Sequence, residues 1–205
     1  SLGRVGTEVV PGVVDVAGKT FAAALPDVVG VVNASAPDGT GGWYFGGNFA
    51  TVGGQSRANL AHVDASGALT SFDPGVNGPV YELLVTADGD LLIGGNFTQA
   101  AGTAAAGVAR IAAGGTLEWG ASVTGAVRAM ALSTDESTLY IGGDFSKISG
   151  LTVRRLAALD PATGVRNTNW AAGMPNLTVS DLEVRDNGEV IAAGNFTTVG
   201  GVSRV

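Results

Sequence analysis

The sequence predicts an all-β fold, a β-propeller of four-stranded antiparallel blades, and three observations support this prediction. A Gly-Gly-Asn/Asp-Phe tetrapeptide recurs along the chain, with its phenylalanines 48, 48 and 51 residues apart. Between the copies, short apolar and β-branched runs alternate with turns that contain glycine, aspartate or asparagine. No segment shows a helix cap followed by helical periodicity. Four short strands in about 48 residues match the size of one propeller blade.

Two other β architectures fit this repeat less well. Repeats of β-solenoids are usually shorter and lack tight hairpins, whereas this repeat contains strong hairpin signals such as Asp88-Gly89. A β-sandwich would not need such a strict period. The propeller is therefore the predicted fold for the single domain at residues 1–205.

The repeat divides the domain into three whole blades and two half blades. The whole blades span residues 29–72, 79–120 and 126–170, the half blades span 9–25 and 178–196, and a next strand starts at 203. In each whole blade a first strand turns through a hairpin, and the return strand ends at the motif glycines. A glycine-bearing loop, a third strand and a fourth strand follow, the fourth carrying Phe72, Trp119 or Trp170.

The two half blades allow two arrangements of the whole ring. They can combine into one blade and close a four-bladed ring, which would remove exposed sheet edges. Alternatively, the chain is part of a larger ring of six to eight blades, with further repeats or modules in a longer parent chain. We favour the larger ring, because four-bladed rings are uncommon.

The repeated tetrapeptide predicts a structural role for each of its residues. Its glycines let the backbone bend and neighbouring blades approach closely. The asparagine or aspartate can cap a turn through its side-chain oxygen. The phenylalanine fills the space between blades, where its burial contributes about 2–3 kcal/mol. The motif residues are Gly46, Gly47, Asn48, Phe49, Gly94, Gly95, Asn96, Phe97, Gly142, Gly143, Asp144, Phe145, Gly194, Asn195 and Phe196, and alanine stands at position 193.

A further glycine lies five residues after each of the four phenylalanines. These residues are Gly54, Gly102, Gly150 and Gly201. Because glycine adopts positive φ without steric cost, the constant spacing predicts a left-handed backbone conformation there.

Composition narrows the classes of partner. The net charge is −7 and the arginines form no basic stripe, so nucleic acid is not an expected partner. No apolar run is long enough to span a bilayer, so membrane insertion is not expected. The absence of cysteine excludes disulfides, thiolate metal sites and a cysteine nucleophile.

The candidate binding residues are Asn33, Glu82 and Asp181. Glu82 and Asp181 occupy equivalent places on first strands, with Ala129 between them, and Asn33 lies in the corresponding region of the first blade. If the first strand is innermost, these side chains point toward the central channel or into the adjacent blade interface. Together they would form a polar, cation-attracting funnel. Paired carboxylates there could also support glycosidic chemistry.

No other catalytic or metal constellation emerges, and no catalytic residue is assigned. His62, the single histidine, is expected to face solvent on a third strand. The turns at 88–90 and 186–189 resemble fragments of calcium loops but lack the remaining ligand positions. We therefore predict no cofactor, with calcium at these turns as the alternative.

The repeat resembles the delta-60-type bacterial repeats, which are predicted β-propellers with a Gly-Gly-x-Phe motif. The resemblance is carried by residues 42–61 and extends from Val13 to Val205. Arg57 holds the usual arginine of this pattern, whereas Ala105 and Val153 stand at the equivalent places. Such proteins are typically secreted or attached to the bacterial surface, so the resemblance implies an extracellular or cell-surface location.

The sequence therefore predicts a non-enzymatic binding or structural module that recognises a protein or glycan surface. The first alternative is a carbohydrate-active enzyme that uses channel-facing carboxylates. The second alternative is a structural subunit of a surface assembly or filament.

Overall fold

The computed structural model describes residues 4–5, 8–9, 25–170 and 173–203, and these residues form an all-β propeller. Three blades and the first two strands of a fourth follow one another along the chain. The first strands of successive blades contact one another, so they are innermost. The predicted third and fourth strands of the half blade at 9–25 lie outside the described residues, apart from Leu25.

The strands follow the predicted order within each blade. Blade 1 contains Val28–Pro37, Trp43–Val52 and Leu60–Val63; blade 2 contains Val80–Val85, Leu91–Gly95, Val108–Ile111 and Leu117–Gly120; blade 3 contains Val127–Leu132, Leu139–Gly143 and Leu156–Leu159; the half blade contains Val179–Val184 and Val190–Gly194. First and second strands pair antiparallel, and third strands pair with the other edge of the second. The motif glycines are the last residues of the second strands of blades 2 and 3, as predicted. In blade 1 the prediction is wrong, because the second strand continues past Gly46 and Gly47 to Val52.

The expected glycine-bearing loop after each motif is a small hairpin. Its turns place two consecutive residues at positive φ, for example Ser149 at 49° and Gly150 at 80°. This is the pattern of a type I′ turn. The predicted positive φ is confirmed at Gly54, Gly102, Gly150 and Gly201. The two-residue strands are Arg4–Val5, Glu8–Val9, Gln55–Ser56, Gln99–Ala100, Thr103–Ala104, Val123–Thr124, Lys147–Ile148, Leu151–Thr152, Thr198–Val199 and Val202–Ser203.

A fourth strand is complete only in blade 2, where it contains Trp119. In blades 1 and 3 it is reduced to one antiparallel bridge, at Leu69 and Arg166 respectively. The predicted strands at Phe72 and Trp170 are therefore wrong in extent. Phe72 is instead buried in the core between blades 1 and 2, and Trp170 packs on Tyr140, with 5.2 Å between ring centroids.

Apolar side chains fill the space between neighbouring blades. One buried cluster joins blades 1 and 2, a second joins blades 2 and 3, and a third joins blade 3 to the half blade. The motif phenylalanines take part in this packing, since Phe97 is 3% and Phe145 0% exposed, while Phe196 in the half blade is half-buried. The repeat thus builds its core at the blade interfaces.

The first glycine of each intact motif lies at a close approach between blades. A Cβ added at Gly46 or Gly142 would lie 2.6 Å from a valine Cγ1 of the next first strand, and a Cβ at Gly94 would lie 3.0 Å from one. A side chain at these positions would separate the blades. The half blade has Ala193 at the equivalent position, and that residue is exposed.

Third-strand side chains hold the hairpin turns of blades 1 and 2. Arg110 donates from Nε to Asp90 Oδ2 at 2.9 Å and from Nη2 to Asp88. In blade 1, His62 of the third strand contacts the hairpin turn in the same way, with its Nε2 3.0 Å from Asp38 Oδ2. Blade 3 has Ala158 at this position.

The expectation that His62 faces solvent is wrong, because its side chain is only 15% exposed. The Asp38 turn folds over it, and the Tyr44 ring lies 4.5 Å away between centroids. Burial acts to raise the pKa of Asp38, but hydrogen bonds from Thr40, His62 and Gly42 outweigh it and hold the pKa at about 2.

Within the described residues, no helix is long and apolar enough to cross a membrane. The same residues contain no group of three or more histidine, cysteine, aspartate or glutamate side chains that could hold a metal ion. Three carboxylates at the two predicted calcium turns have protein partners, namely Arg110 for Asp88 and Asp90 and Arg185 for Glu189.

Candidate binding site on the inner strands

Each first strand contains one residue that has no partner on the second strand with which it pairs. In blade 2, Val80 pairs with Gly95 and Glu82 with Gly94, so Tyr81 between them has no partner. The same shift isolates one residue in every blade, namely Asn33, Arg128 and Ser180 in the others. These are β-bulges, which re-aim side chains and recur beside functional sites.

The second glycine of the motif makes room for each bulge. A Cβ added at Gly95 would lie 2.2 Å from the carbonyl oxygen of Pro79, two residues before the bulge residue Tyr81. The corresponding separations are 2.0 to 2.1 Å at Gly47, Gly143 and Gly194. The tetrapeptide therefore shapes the inner wall of the ring.

The four bulge residues line one cavity of about 450 Å³. The remaining wall is formed by Asp144, Thr178 and Asn195. Its volume lies in the range of about 300–1,000 Å³ that is typical of small-molecule sites. No aliphatic side chain is among the seven lining residues, so the cavity is mainly polar.

Arg128 is the central charged group of the cavity. Its Nε donates to Asp144 Oδ2, and its guanidinium carbon lies 5.3 Å from the centroid of the Tyr81 ring. This distance allows a cation–π contact. The Thr178 hydroxyl donates to Asp144 Oδ1 across the blade interface. Arg128 is thus oriented by groups from three blades.

Asp144 is held in its ionised form. Burial acts to raise its pKa, but hydrogen bonds from Thr178 and Arg128 and the charges of Arg128 and Arg155 lower the pKa below its ordinary value. Both carboxylate oxygens already accept hydrogen bonds. Asp144 therefore serves as an anchor for Arg128 more readily than as a proton carrier.

The predicted turn-capping role of the motif side chain is wrong for Asp144, whose bonds join two blades. Two asparagines outside the motif cap these loops instead. Asn77 Oδ1 accepts from the N–H groups of Thr98 and Gln99, each at 2.9 Å. Asn176 makes the equivalent bonds to Thr197 and Thr198. The asparagine that stands three residues before the first strands of blade 2 and of the half blade was the available sequence signal.

The three predicted binding residues lie in different surroundings. Asn33 lines the cavity, and its Nδ2 donates to the Val80 carbonyl at 2.8 Å. Glu82 and Asp181 each follow a bulge residue and are not among the cavity's lining residues. Glu82 is half-buried on the side of blade 2 that faces blade 3. Ala129 occupies the equivalent position in blade 3. Asp181 is exposed on the equivalent side of the half blade.

The environment of Glu82 is unfavourable for a charge. Burial raises its pKa, and the negative charge of Asp181 raises it further, while a hydrogen bond from the Leu83 N–H opposes both. The carboxylates of Glu82 and Asp181 therefore interact electrostatically. Asp144, however, is the single carboxylate among the residues that line the cavity.

Sequence reasoning missed Tyr81, Arg128 and Ser180 as lining residues. It aligned Asn33 with Glu82 and Asp181, whereas the structure aligns it with the preceding residues. The bulge changes the alternation of sides along the strand by one residue, which periodicity alone does not register. One signal was present, because Asp144 is the only aspartate at the third motif position.

Part of the chain matches a known family model. Residues 86–118, from the first hairpin of blade 2 into its fourth strand, match a β-propeller domain of unknown function (DUF5122). No curated protein matches the chain. The similarity to delta-60-type repeats stays a prediction. The chain is thus an all-β protein built of β-propeller repeats, and over residues 86–118 it is similar to the DUF5122 β-propellers.

Proposed function

We propose that this chain is a non-enzymatic binding module of a secreted or cell-surface protein, with its ligand site in the cavity on the inner strands. One observation carries the proposal: the backbone of the bulge repeats in every blade, but its side chain differs each time, as Asn33, Tyr81, Arg128 and Ser180. A constant frame that presents variable side chains to one cavity is suited to recognition.

The geometry favours binding over glycoside hydrolysis. Hydrolysis normally needs two carboxyl groups about 5–10 Å apart on either side of the scissile bond. The cavity lining contains Asp144 alone, and both of its oxygens accept hydrogen bonds from Arg128 and Thr178. Turnover of an oligosaccharide that is lost on Glu82→Gln or Asp144→Asn substitution would instead support the carbohydrate-active enzyme.

The partner class follows from the polarity of the cavity. Its lining combines amide, hydroxyl, phenol and guanidinium groups, which match the hydroxyl-rich surface of a glycan or the polar surface of a protein. A secreted or surface location is supported by the resemblance of the repeat to bacterial surface proteins.

A screen against immobilised glycans and surface proteins tests the proposal with matched variants. Ser180→Trp places a large ring at an exposed cavity position, whereas Ser71→Trp places the same ring at an exposed position outside the cavity. We expect wild type and Ser71→Trp to retain binding and Ser180→Trp to lose at least tenfold in affinity, with unchanged melting temperatures. Equal binding by both variants would place the ligand elsewhere.

The structural-subunit alternative rests on a different surface. The side of the half blade that faces away from blade 3 exposes Asp181, Glu183, Ile191 and Ala193, and Ile191 is 36% exposed. Analytical ultracentrifugation of wild type and Ile191→Asp tests this alternative. A concentration-dependent assembly that the substitution abolishes would support it.

A further inference from the structure

The hydrogen-bonding groups of the cavity divide into those with protein partners and those without. Both oxygens of Asp144 accept hydrogen bonds, from Arg128 Nε and from the Thr178 hydroxyl. One N–H of Asn33 is bonded to the Val80 carbonyl. Both oxygens of the one carboxylate in the cavity lining are therefore already engaged.

All the groups without partners can donate a hydrogen bond, and the two guanidinium amino groups can only donate. Within the described part of the chain, Arg128 Nη1 and Nη2, the Ser180 hydroxyl, the Tyr81 hydroxyl and the Asn195 amide make no hydrogen bond to protein. The Arg128 side chain is 42% exposed, so its two terminal amino groups are accessible from the cavity. Two parallel N–H groups of this kind form the fork that matches a planar oxyanion.

Local charge also favours an anion. Arg128 and Asp144 are the charged residues of the cavity lining, and Arg155 places a second positive charge near Asp144, whereas Glu82 and Asp181 are not part of the lining. The acidic hairpin turns lie at the other end of the first strands; in blade 3, five residues separate Arg128 from the turn residue Ser133. At about 3.3 Å per residue this is roughly 17 Å, or about twice the screening length in physiological salt. The net charge of −7 therefore does not keep an anion out of the cavity.

We infer that the cavity binds the carboxylate of an acidic sugar, with the free edge of the Arg128 guanidinium as its anchor. This inference rests on the proposed binding function and names its ligand class. A sugar fits better than a peptide C-terminus, because a peptide would bring apolar side chains to a cavity with no aliphatic lining. The hydroxyls of the sugar ring would meet Ser180, Asn195 and Asn33.

Titration calorimetry with a disaccharide that ends in glucuronate, and with its glucose-terminated analogue, tests the inference at physiological salt. Wild type is expected to bind the glucuronate form at least tenfold more tightly. Arg128→Gln should abolish this preference, and Arg128→Lys should restore only part of it, because lysine keeps the charge but lacks the fork. Arg154→Gln, which removes an exposed arginine outside the cavity, is the matched control.

The outcomes separate the inference from the proposed function. Equal binding of both disaccharides, blocked by Ser180→Trp, would overturn the acidic-sugar inference and leave the binding module intact. Tighter binding of a peptide carboxylate than of glucuronate, dependent on Arg128, would overturn the sugar class. If Ser180→Trp changes the affinity for none of the glycan and protein probes, the proposed function itself is overturned. Far-ultraviolet circular dichroism spectra of each variant establish that it is folded.

Discussion

At the scale of single residues, neighbouring positions on one strand have opposite roles. Tyr81 lines the cavity, whereas Glu82, one residue later, lies half-buried against the next blade. The same pair of positions holds Arg128 and the buried Ala129 in blade 3. In blades 2 and 3, therefore, the bulge residue lines the cavity and its successor packs against the next blade.

Glu82→Gln is expected to stabilise the protein at neutral pH. Because burial raises the folded-state pKa of Glu82 above its unfolded value, the ionised form opposes folding, and the protein gains stability as pH falls through that pKa. Melting temperatures of wild type and Glu82→Gln should therefore differ most at pH 7 and converge near pH 4. A variant less stable than wild type at pH 7 would show that the charge is stabilised by its surroundings.

Asp38 should give the opposite pH dependence. Its folded-state pKa of about 2 lies below the ordinary value of 3.8, so its contribution is present above pH 4 and is lost as pH falls toward 2. Asp38→Asn should lower stability at pH 7, by on the order of 1 kcal/mol, and flatten the acid limb of a stability profile. An acid limb of unchanged slope in the variant would contradict this assignment.

At the scale of elements, the motif glycines permit two close approaches, one between blades and one between paired strands. The first glycine accommodates the valine of the next blade, and the second accommodates the carbonyl that precedes the bulge. The glycine of the small hairpin turn has a different constraint, because Gly150 has φ +80° and open space around it. One requirement is steric and the other is conformational.

Substitution by alanine should separate these two requirements. Gly142→Ala would force a Cβ to 2.6 Å from Val179 Cγ1, and overpacking of this kind costs about 1–3 kcal/mol. Gly150→Ala creates no contact and should cost about 1 kcal/mol through its positive φ. Urea denaturation measures both. If Gly142→Ala is the milder change, the blade interface is looser than described.

The ion pairs of Arg110, on the third strand of blade 2, with Asp88 and Asp90 should limit the mobility of the blade 2 hairpin turn. Arg110→Ala removes the partner of Asp88 and Asp90, so hydrogen exchange should accelerate at the turn amides, such as that of Gly89. Blade 3 supplies an internal comparison, since Ala158 already stands at the equivalent position. Unchanged exchange at the blade 2 turn would show that its backbone bonds suffice.

At the scale of the whole molecule, each blade is stabilised by its neighbours, as in other repeat proteins. The second strand of blade 2 is buried along its whole length, because blades 1 and 3 cover its two sides. Among the described residues, those of blade 3 alone cover the second strand of the half blade, which exposes Ile191 on the other side. Stability should therefore decline from the middle of the described array toward the half blade.

Native-state hydrogen exchange should resolve this gradient. Leu139→Ala, in the core between blades 2 and 3, should lower global stability by about 2–5 kcal/mol. Leu182→Ala, in the core between blade 3 and the half blade, should mainly accelerate exchange within residues 179–194. Uniform loss of protection in both variants would show that the blades unfold as one unit.

Sequence patterns alone predicted the blade repeat, the positions of the first three strands and the conformation of the turn glycines. These features depend on local rules: alternation along a strand, the turn preferences of Asp-Gly, and the tolerance of glycine for positive φ. The burial of Phe97 and Phe145 also followed from their period. Local chemistry repeats at a fixed interval, so one unit predicts the others.

Only the tertiary structure decided which side chains share the cavity. The one-residue bulge assigns Tyr81 and Arg128 to the cavity and Glu82 to the blade interface, and it depends on the register between two paired strands. The anchor at Asp144 needs Thr178 from the next blade, which is distant in sequence. Register and blade packing are pairwise properties of segments, so a pattern read along one strand does not contain them.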